Sequence, residues 1–119
     1  METLPKSERL SGRSAVSALM SKGRWGFSGG LKYCYLRNEP SDGANRIMVS
    51  VPKRFFKRAV KRNLLKRRMR EAYRTQKSML GPSSVDILFL YNSKEVNDFQ
   101  TIKEEVAEIL KKVADERQL

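Results

Sequence analysis

Three segments of the chain space their apolar residues as helices do. The first lies at 11–22, where Ser11 is a good N-cap, Gly23 follows the end, and one face carries Val16, Leu19 and Met20. The second lies at 57–76, and its apolar stripe comprises Leu65, Met69, Ala72 and Tyr73. The pattern therefore predicts a short first helix and a longer second one with a narrow apolar seam.

The third helical segment lies near the end of the chain. Asn97 is the predicted N-cap, and Gln100 stands at the reciprocal position of a capping box. The apolar face is the best marked of the three and comprises Phe99, Ile102, Val106, Ile109, Leu110 and Val113.

Three apolar runs are typical of strands. They are "LKYCYLRN" (31–38), "RIMVSV" (46–51) and the almost wholly apolar "VDILFLY" (85–91). Turn residues lie between the first two runs at 39–45 and before the third at 81–84. We expect the first two strands to pair as an antiparallel hairpin and the third to occupy the sheet interior.

The order of elements is therefore α-β-β-α-β-α, which predicts an α+β sandwich with the helices on one face of a sheet. The segment "RWGFSGG" (24–30) is predicted to be a Gly-rich connector with two exposed aromatic residues, although one further short strand within 24–38 stays open. With 119 residues and no repeats, the chain is expected to form a single domain over 1–119, with 1–10 as a loose N-terminal arm.

Basic charge is concentrated in one segment. The chain carries 25 Lys and Arg against 13 Asp and Glu, a formal net charge of +12. Between Lys53 and Arg74 there are 11 basic residues and one acid, Glu71, so this stretch accounts for most of the excess. A localised basic surface attracts a polyanion, whereas a diffuse one mainly aids solubility.

The composition excludes several classes of chemistry. The chain has no His and one Cys, which excludes His-based catalysis and a Cys/His zinc site. Cys34 lies in an apolar run and is expected to be a buried, inert thiol. No apolar stretch reaches the roughly 20 residues of a membrane span, and the N-terminus lacks a signal-like apolar core, so we expect a cytoplasmic protein without catalytic residues or a metal of its own.

The second helix is the candidate binding surface. Several of its basic residues stand four apart, as in Arg58–Arg62 and Lys66–Arg70, and such like-charged pairs repel each other by about 0.2–0.5 kcal/mol. An ordinary solvated helix mixes signs, whereas a polyanionic partner would relieve this repulsion. Arg guanidinium groups grip phosphate oxygens bidentately, and Asn63 adds a hydrogen-bonding amide. Charge alone does not distinguish RNA from DNA.

These residues resemble a known family, the protein component of bacterial ribonuclease P. That family carries an Arg-Asn-Arg signature followed by Lys-Arg on its long helix, and "RNLLKRRMRE" (62–71) supplies Arg62, Asn63, Lys66, Arg67 and Arg70 in matching places. "RIMVSVPKR" (46–54) is similar to the family's preceding strand, and "RL" (9–10), Gly23 and "VDILFLY" follow the family's order. The chain departs from the pattern at Leu64, where the family usually has Arg, and at Lys57, where it often has Gly.

The resemblance implies a fold like the second domain of ribosomal protein S5 (ribosomal-protein-S5-domain-2-like), with a left-handed strand–helix–strand crossover. It also implies an RNA-binding surface comprising Lys53, Arg54, Lys57, Arg58, Lys61, Arg62, Asn63, Lys66, Arg67, Arg70 and Arg74. The family commonly has two Phe in the first helix, lining a cleft for the precursor tRNA leader; the matching positions here are Val16 and Met20. Tyr33 and Tyr35 are candidates to supply stacking in that cleft, and a core role for all four is the alternative.

The function that the resemblance implies is that of a protein subunit of ribonuclease P. Its partners would be the catalytic RNA, whose bound Mg²⁺ ions activate water to cut the 5′ leader, and the precursor tRNA. No membrane, obligate protein partner or protein-bound cofactor is expected. Two rivals stay open at this point, a structural ribosomal-type RNA-binding protein and a DNA-binding domain that places the basic helix in the major groove, although the chain lacks a helix-turn-helix signature.

Overall fold

The computed structural model describes residues 8–10, 12–37, 45–81 and 84–117. The predicted turn at 39–45 and the predicted cap Ser11 fall largely outside these residues. The described chain forms three helices, four strands and a short 3₁₀ turn (Lys77–Met79), in the order α1 (Arg13–Lys22), β1 (Arg24–Ser28), β2 (Leu31–Arg37), β3 (Arg46–Ser50), α2 (Ala59–Arg74), β4 (Val85–Tyr91) and α3 (Phe99–Arg117). The α+β class is confirmed, with one strand more than the predicted order.

The four strands form one sheet in the order β1-β2-β4-β3. The expected hairpin between β2 and β3 is wrong, because β4 lies between them, antiparallel to β2 and parallel to β3. The residues of β4 from Val85 to Phe89 are all buried, so this apolar strand gains most from the central position, where both of its faces are covered. The true hairpin joins β1 to β2.

Strand β1 occupies the segment predicted to be a connector. Its sequence RWGFS includes Gly26, which weakens an isolated strand. Here the ring of Tyr33 on β2 lies where a side chain at Gly26 would extend, since a Cβ there would be 2.5 Å from the Tyr33 ring. The tight turn into β2 uses Gly29 at a φ of 56°, a conformation that favours glycine. Contacts with the rest of the fold therefore stabilise β1, a strand that the local sequence pattern does not predict.

The helices cover both faces of the sheet, so the expectation of helices on one face is wrong. The larger core lies between the sheet and α2 with α3, and includes Leu65, Phe89 and Ile109. The smaller core lies under α1 on the opposite face, where Leu19 packs with Cys34, Leu88 and Leu10. Successive residues of a strand point to opposite faces, so β2 and β4 contribute alternate side chains to each core.

The crossover from β3 through α2 to β4 is left-handed, as the resemblance implies. The Ile47 carbonyl accepts a hydrogen bond from the Leu10 N–H, so it points away from β4, while the Ile47 side chain belongs to the core under α2. For an L-residue, this arrangement places β4 to the left of β3 when the sheet is viewed from the α2 side with β3 pointing up. A connection that passes in front of the sheet and moves left is left-handed, against the usual rule.

The start of the described chain is docked. Residues 8–10 run parallel to the β3 edge through a bridge between Arg9 and Ile47, and Glu8 pairs with Lys77 at 2.9 Å. The prediction of a loose arm is therefore wrong for these three residues, and residues 1–7 lie outside the described part. The apolar side chain of Leu10 is buried in the smaller core, which explains why the segment stays on the sheet.

Helix α3 begins one residue later than expected. The Asp98 carboxylate, rather than Asn97, accepts the hydrogen bond from the backbone N–H of Thr101, at 2.8 Å. Its predicted apolar face is confirmed, since Ile102, Val106, Ile109, Leu110 and Val113 are all buried, with Phe99 packed against them. No helix within the described residues is long and apolar enough to cross a membrane.

Candidate nucleic-acid interface

The seam of α2 packs as its periodicity predicts. Leu65, Met69, Ala72 and Tyr73 are buried against the sheet and α3, each with at most 1 % of its surface exposed. Because these residues recur three and four apart, the rest of the helix circumference faces outward. The basic residues of α2 therefore occupy a surface that the fold itself leaves uncovered.

Most of the predicted RNA-binding residues are exposed. The exposed set comprises Lys53, Arg54, Lys57, Arg58, Lys61, Asn63, Arg67 and Arg70, and the half-buried set comprises Arg62, Lys66 and Arg74. Those outside α2 lie in the loop that joins it to β3. Leu64, which replaces the Arg usual in the family, is half-buried, so this position interrupts the charged surface rather than the core.

Arg62 has a structural role as well as a charge. Its Nη1 donates hydrogen bonds to the carbonyl oxygens of Phe56 and Lys57, both at 2.8 Å. Arg62 thereby ties the first turn of α2 to the loop that carries the other cations. Within that loop, the Arg54 guanidinium lies over the Phe55 ring, 4.8 Å from its centroid. These contacts brace the basic loop against the start of α2.

Two further arginines of α2 are engaged with the protein. Arg74 forms an ion pair with Glu71, the one acid of the helix. Arg68 donates a hydrogen bond to the Asn97 carbonyl at 2.6 Å, which links α2 to the start of α3. Pairing with Arg74 offsets the negative charge of Glu71, so the other basic residues of α2 dominate the local field.

The N-terminus of α2 adds to this field. Its N-cap, Arg58, is extended, makes no side-chain capping bond, and is followed by a first turn without acidic residues. The unpaired N–H groups and the positive end of the helix dipole therefore point to the region of Lys57, Arg58 and Lys61. Such an arrangement favours phosphate groups.

Arg9 joins the α2 surface, which the sequence pattern does not reveal. Although much of Arg70 is exposed, partial desolvation of its guanidinium, and next the nearby charge of Arg9, lower the pKa of that group from its usual value. The ion pair between Glu8 and Lys77 holds this segment beside the last turns of the helix. The apolar residue Leu10 is the only signal in the sequence that residues 8–10 dock on the sheet. This signal does not predict where the side chain of the neighbouring Arg9 lies.

The four predicted cleft residues divide between the two faces of the sheet. Val16 packs in the smaller core, and Met20 is 48 % exposed on α1. Tyr33 is buried in the larger core, and Tyr35 packs against that same core with its hydroxyl buried and without a hydrogen-bond partner among the described residues. The tyrosines therefore face away from α1 and cannot line a cleft with Val16 and Met20. For them, the alternative core role is the one observed.

Other aromatic residues lie on the α1 face. In the β1–β2 pairing, Trp25 is opposite Cys34 and Phe27 is opposite Lys32, and residues opposite each other in an antiparallel pair share a face. Cys34 belongs to the core under α1, so Trp25 and Phe27 point to that side. Trp25 and Phe27 stand two residues apart, which is the spacing of side chains on one face of a strand. The interpretation of 24–30 as a connector overlooked this signal.

Two buried groups of the described chain, the Asp86 carboxylate and the Cys34 thiol, are engaged with the protein itself. No three His, Cys, Asp or Glu side chains of the described residues come together as a metal site would require. Asp86 is buried but forms a bidentate pair with Arg46, at 3.0 and 3.2 Å. Burial raises the pKa of the Cys34 thiol to about 11, and the thiol donates to the Leu19 carbonyl, so Cys34 is no nucleophile at neutral pH.

Comparison with known proteins supplies the family. The sequence model of the family Ribonuclease P matches residues 4–114. The ribonuclease P protein component of Chlorobaculum tepidum is 35 % identical over 96 % of this chain and 84 % of its own length, and that of Porphyromonas gingivalis is 35 % identical over 93 % and 86 %.

Solved structures agree. The ribonuclease P protein from Thermotoga maritima superposes with a TM-score of 0.75 at 26 % identity, over 88 % of this chain and 96 % of that one. The Staphylococcus aureus protein shares the fold, with a TM-score of 0.76 at 23 % identity over 89 % and 94 %. The chain therefore belongs to the ribonuclease P protein component family, whose members are RNA-binding subunits of the tRNA-processing endoribonuclease ribonuclease P.

Proposed function

We propose that this chain acts as an accessory subunit that docks the exposed face of α2 on the catalytic RNA of ribonuclease P. The observation that carries the proposal is the surface itself. Exposed cations extend from Lys53 through Arg70, Arg9 adds one more, and the one acid of α2 is paired with Arg74. An A-form or irregular RNA offers phosphates that match such a surface without base-specific contacts.

Precursor tRNA is the proposed substrate of the complex, with its 5′ leader held near the α1 face of the sheet. In this arrangement the RNA subunit holds the Mg²⁺ that activates water, and the protein supplies binding and orientation. The support is chemical: most of the described residues at the basic surface are cations, which bind phosphate, and the two carboxylates beside it, Glu8 and Glu71, are paired with Lys77 and Arg74. A cytoplasmic location stays a prediction from the sequence.

The RNA that co-purifies with the chain tests the proposal. We expect recovery from cells at moderate salt to enrich the ribonuclease P RNA and precursor tRNAs that retain their leaders. Recovery of ribosomal RNA alone would favour the structural ribosomal-type rival. A matched purification of the variant Arg67→Glu with Arg70→Glu controls for adventitious RNA, because it keeps the core of α2 and lacks two exposed cations.

A further inference from the structure

The first described residues place one arginine on the same side of the sheet as α2. Arg9 forms a parallel bridge with Ile47, and the side chains of residues paired in this way share a face of the sheet. The Ile47 side chain belongs to the core under α2, whereas Leu10, the next residue after Arg9, is buried under α1 on the opposite face. Since successive side chains alternate, Arg9 points to the α2 side, where it is exposed.

The residues on either side of Arg9 are both anchored. Before it, the Lys77 ammonium donates hydrogen bonds to both oxygens of the Glu8 carboxylate, at 2.9 and 3.0 Å. After it, the Leu10 N–H donates to the Ile47 carbonyl at 2.7 Å, and the Leu10 side chain is buried. Contacts of its two neighbours therefore set the position of Arg9.

The last turns of α2 lie alongside this segment. Burial, and next the charge of Glu8, raise the pKa of the Tyr73 hydroxyl to about 12, so Glu8 stands near this turn of the helix as well as beside Lys77. Arg70 precedes Tyr73 by about one turn, and the charge of Arg9 reaches its guanidinium. The segment thus brings Arg9 toward Arg70 while Glu8 remains on Lys77.

Two guanidinium groups held near each other repel, and the fold offers them little compensation. The two acids beside them, Glu8 and Glu71, are paired with other cations. A backbone phosphate presents several oxygens, to which guanidinium groups donate charge-assisted hydrogen bonds, and its negative charge would remove the repulsion. Arg9 and Arg70 therefore suit one phosphate placed between them.

We propose that Arg9 and Arg70 hold one backbone phosphate of the catalytic RNA between them, and that Glu8 is the positioning residue for Arg9 through its ion pair with Lys77. The identity of the RNA rests on the proposed function. Docking then involves a second segment of the chain besides α2 and the loop before it. Glu8 supports binding of a polyanion although its own charge opposes such binding.

A double-mutant cycle tests the shared phosphate. In filter binding to ribonuclease P RNA, Arg9→Gln and Arg70→Gln should each weaken affinity by about 10-fold, and the double variant should lose less than the product of the two losses. Its slope of log affinity against log salt should become shallower by about 0.7–0.9, the value for one phosphate. Losses that multiply, with a change of slope of about 1.4–1.8, would overturn the proposal, because the two arginines would then bind separate phosphates.

Lys111→Gln is the control of equal charge, at an exposed position of α3. We expect it to leave the salt slope nearly unchanged. A loss as large as that of Arg9→Gln would show a general charge effect and would overturn the assignment of Arg9 to a phosphate.

Glu8→Gln separates positioning from charge. The variant removes one negative charge, so the general field favours tighter RNA binding, whereas loss of positioning should weaken binding by about 2- to 5-fold. Glu104→Gln, at an exposed position of α3, removes the same charge and should not weaken binding. In an Arg9→Gln background, Glu8→Gln should cause no further loss. Unchanged or tighter binding by Glu8→Gln alone would refute the positioning role.

Reversal of the ion pair supplies a rescue. Glu8→Lys should weaken RNA binding, and Glu8→Lys with Lys77→Glu should recover it, because the reversed pair can form in the same place. Hydrogen exchange at the Leu10 N–H should be faster in Glu8→Gln and should slow again in the reversed pair. Weaker RNA binding with unchanged exchange at Leu10 would show that Glu8 does not act by holding this segment, against the proposal.

Failure of this site and failure of the proposed function give different results. If the unchanged chain binds ribonuclease P RNA and supports leader removal, while Arg9→Gln binds that RNA equally well, then the shared phosphate is wrong and the subunit role stands. The same holds if Arg9→Gln weakens only the uptake of precursor tRNA by the assembled complex, since the phosphate would then belong to the tRNA. If the unchanged chain does not bind ribonuclease P RNA, the proposed function fails and this proposal fails with it.

Discussion

Replacement of Arg67 and Arg70 by Glu should separate binding from folding. Both side chains are exposed, on the side of α2 opposite Leu65 and Met69. A carboxylate at position 70 would replace repulsion by attraction toward the cations four residues away on either side, and would face Arg9. A carboxylate at position 67 would instead stand four residues from Glu71, which it would repel. Since each such pair is worth about 0.2–0.5 kcal/mol, the net change in unfolding free energy should lie within about 1 kcal/mol of zero.

Affinity for the catalytic RNA should fall sharply in the same variant. Each phosphate contact releases counterions, so loss of two contacts should make the slope of log affinity against log salt shallower by about 1.4–1.8. Urea unfolding followed by circular dichroism measures the stability, and filter binding from about 50 to 300 mM salt measures the slope.

The matched control is Lys22→Glu with Lys111→Glu, which changes the net charge by the same amount on α1, across the sheet from α2, and at an exposed position of α3. We expect this control to lower affinity slightly through the general field and to leave the slope nearly unchanged. If the control makes the salt slope as shallow as the α2 variant does, the reasoning fails. It also fails if the α2 variant is unfolded and yet binds RNA with the salt slope of the unchanged protein.

Three further outcomes follow from the contacts. Leu65→Ala, at a fully buried position, should cost about 2–5 kcal/mol of unfolding free energy in a urea titration, and a loss below about 1 kcal/mol would show that α2 does not dock there. Arg62→Lys should cost about 1.5–3 kcal/mol, because a Lys cannot bridge both carbonyls of the preceding loop; an unchanged midpoint would refute that role. The Cys34 pKa is raised to about 11 from 9.0, so the folded state binds the proton more tightly: its contribution is fully present below pH 9 and is lost as pH rises toward 11, and Cys34→Ala should flatten that part of the stability profile.

The helices show how much of this fold local pattern contains. The apolar stripes of α2 and α3 follow the helical period, and every residue of the α2 stripe is buried, because a helix that packs on one side needs only its own spacing to define that side. The N-cap of α3 is Asp98 rather than the predicted Asn97. Asn and Asp cap helices about equally well, so the choice between these neighbours depends on the path of the preceding chain, which the sequence does not show.

Strand pairing depends on residues far apart in the chain. β2 and β3 are neighbours in sequence and both suit a sheet, yet β4 enters between them because it is apolar on both faces. Local sequence patterns do not predict the order of three strands in a sheet when a helix separates the last strand from the other two along the chain. The position of Trp25 and Phe27 was hidden for the same reason, since their strand depends on Glu105 and Lys112 of α3.

The candidate site was predictable in its charge and not in its cleft. The basic surface follows from α2 alone, because the buried seam leaves the cations outside. The cleft needs the sheet face of each residue, and period-two alternation shows that Tyr33 and Tyr35 share a face without showing which face α1 covers. The alternation therefore predicts that the two tyrosines share a face of the sheet, but it does not predict which face that is.

The rate of 5′ leader removal in a reconstituted complex tests the central claim most directly. Precursor tRNA is incubated with ribonuclease P RNA alone, with the chain added, and with the Arg67→Glu, Arg70→Glu variant, at one Mg²⁺ concentration and moderate salt. The account predicts that the chain raises the cleavage rate at limiting precursor and that the folded variant does not. Cleavage at the same rate with and without the chain, under conditions where the chain is folded and monodisperse, would contradict it.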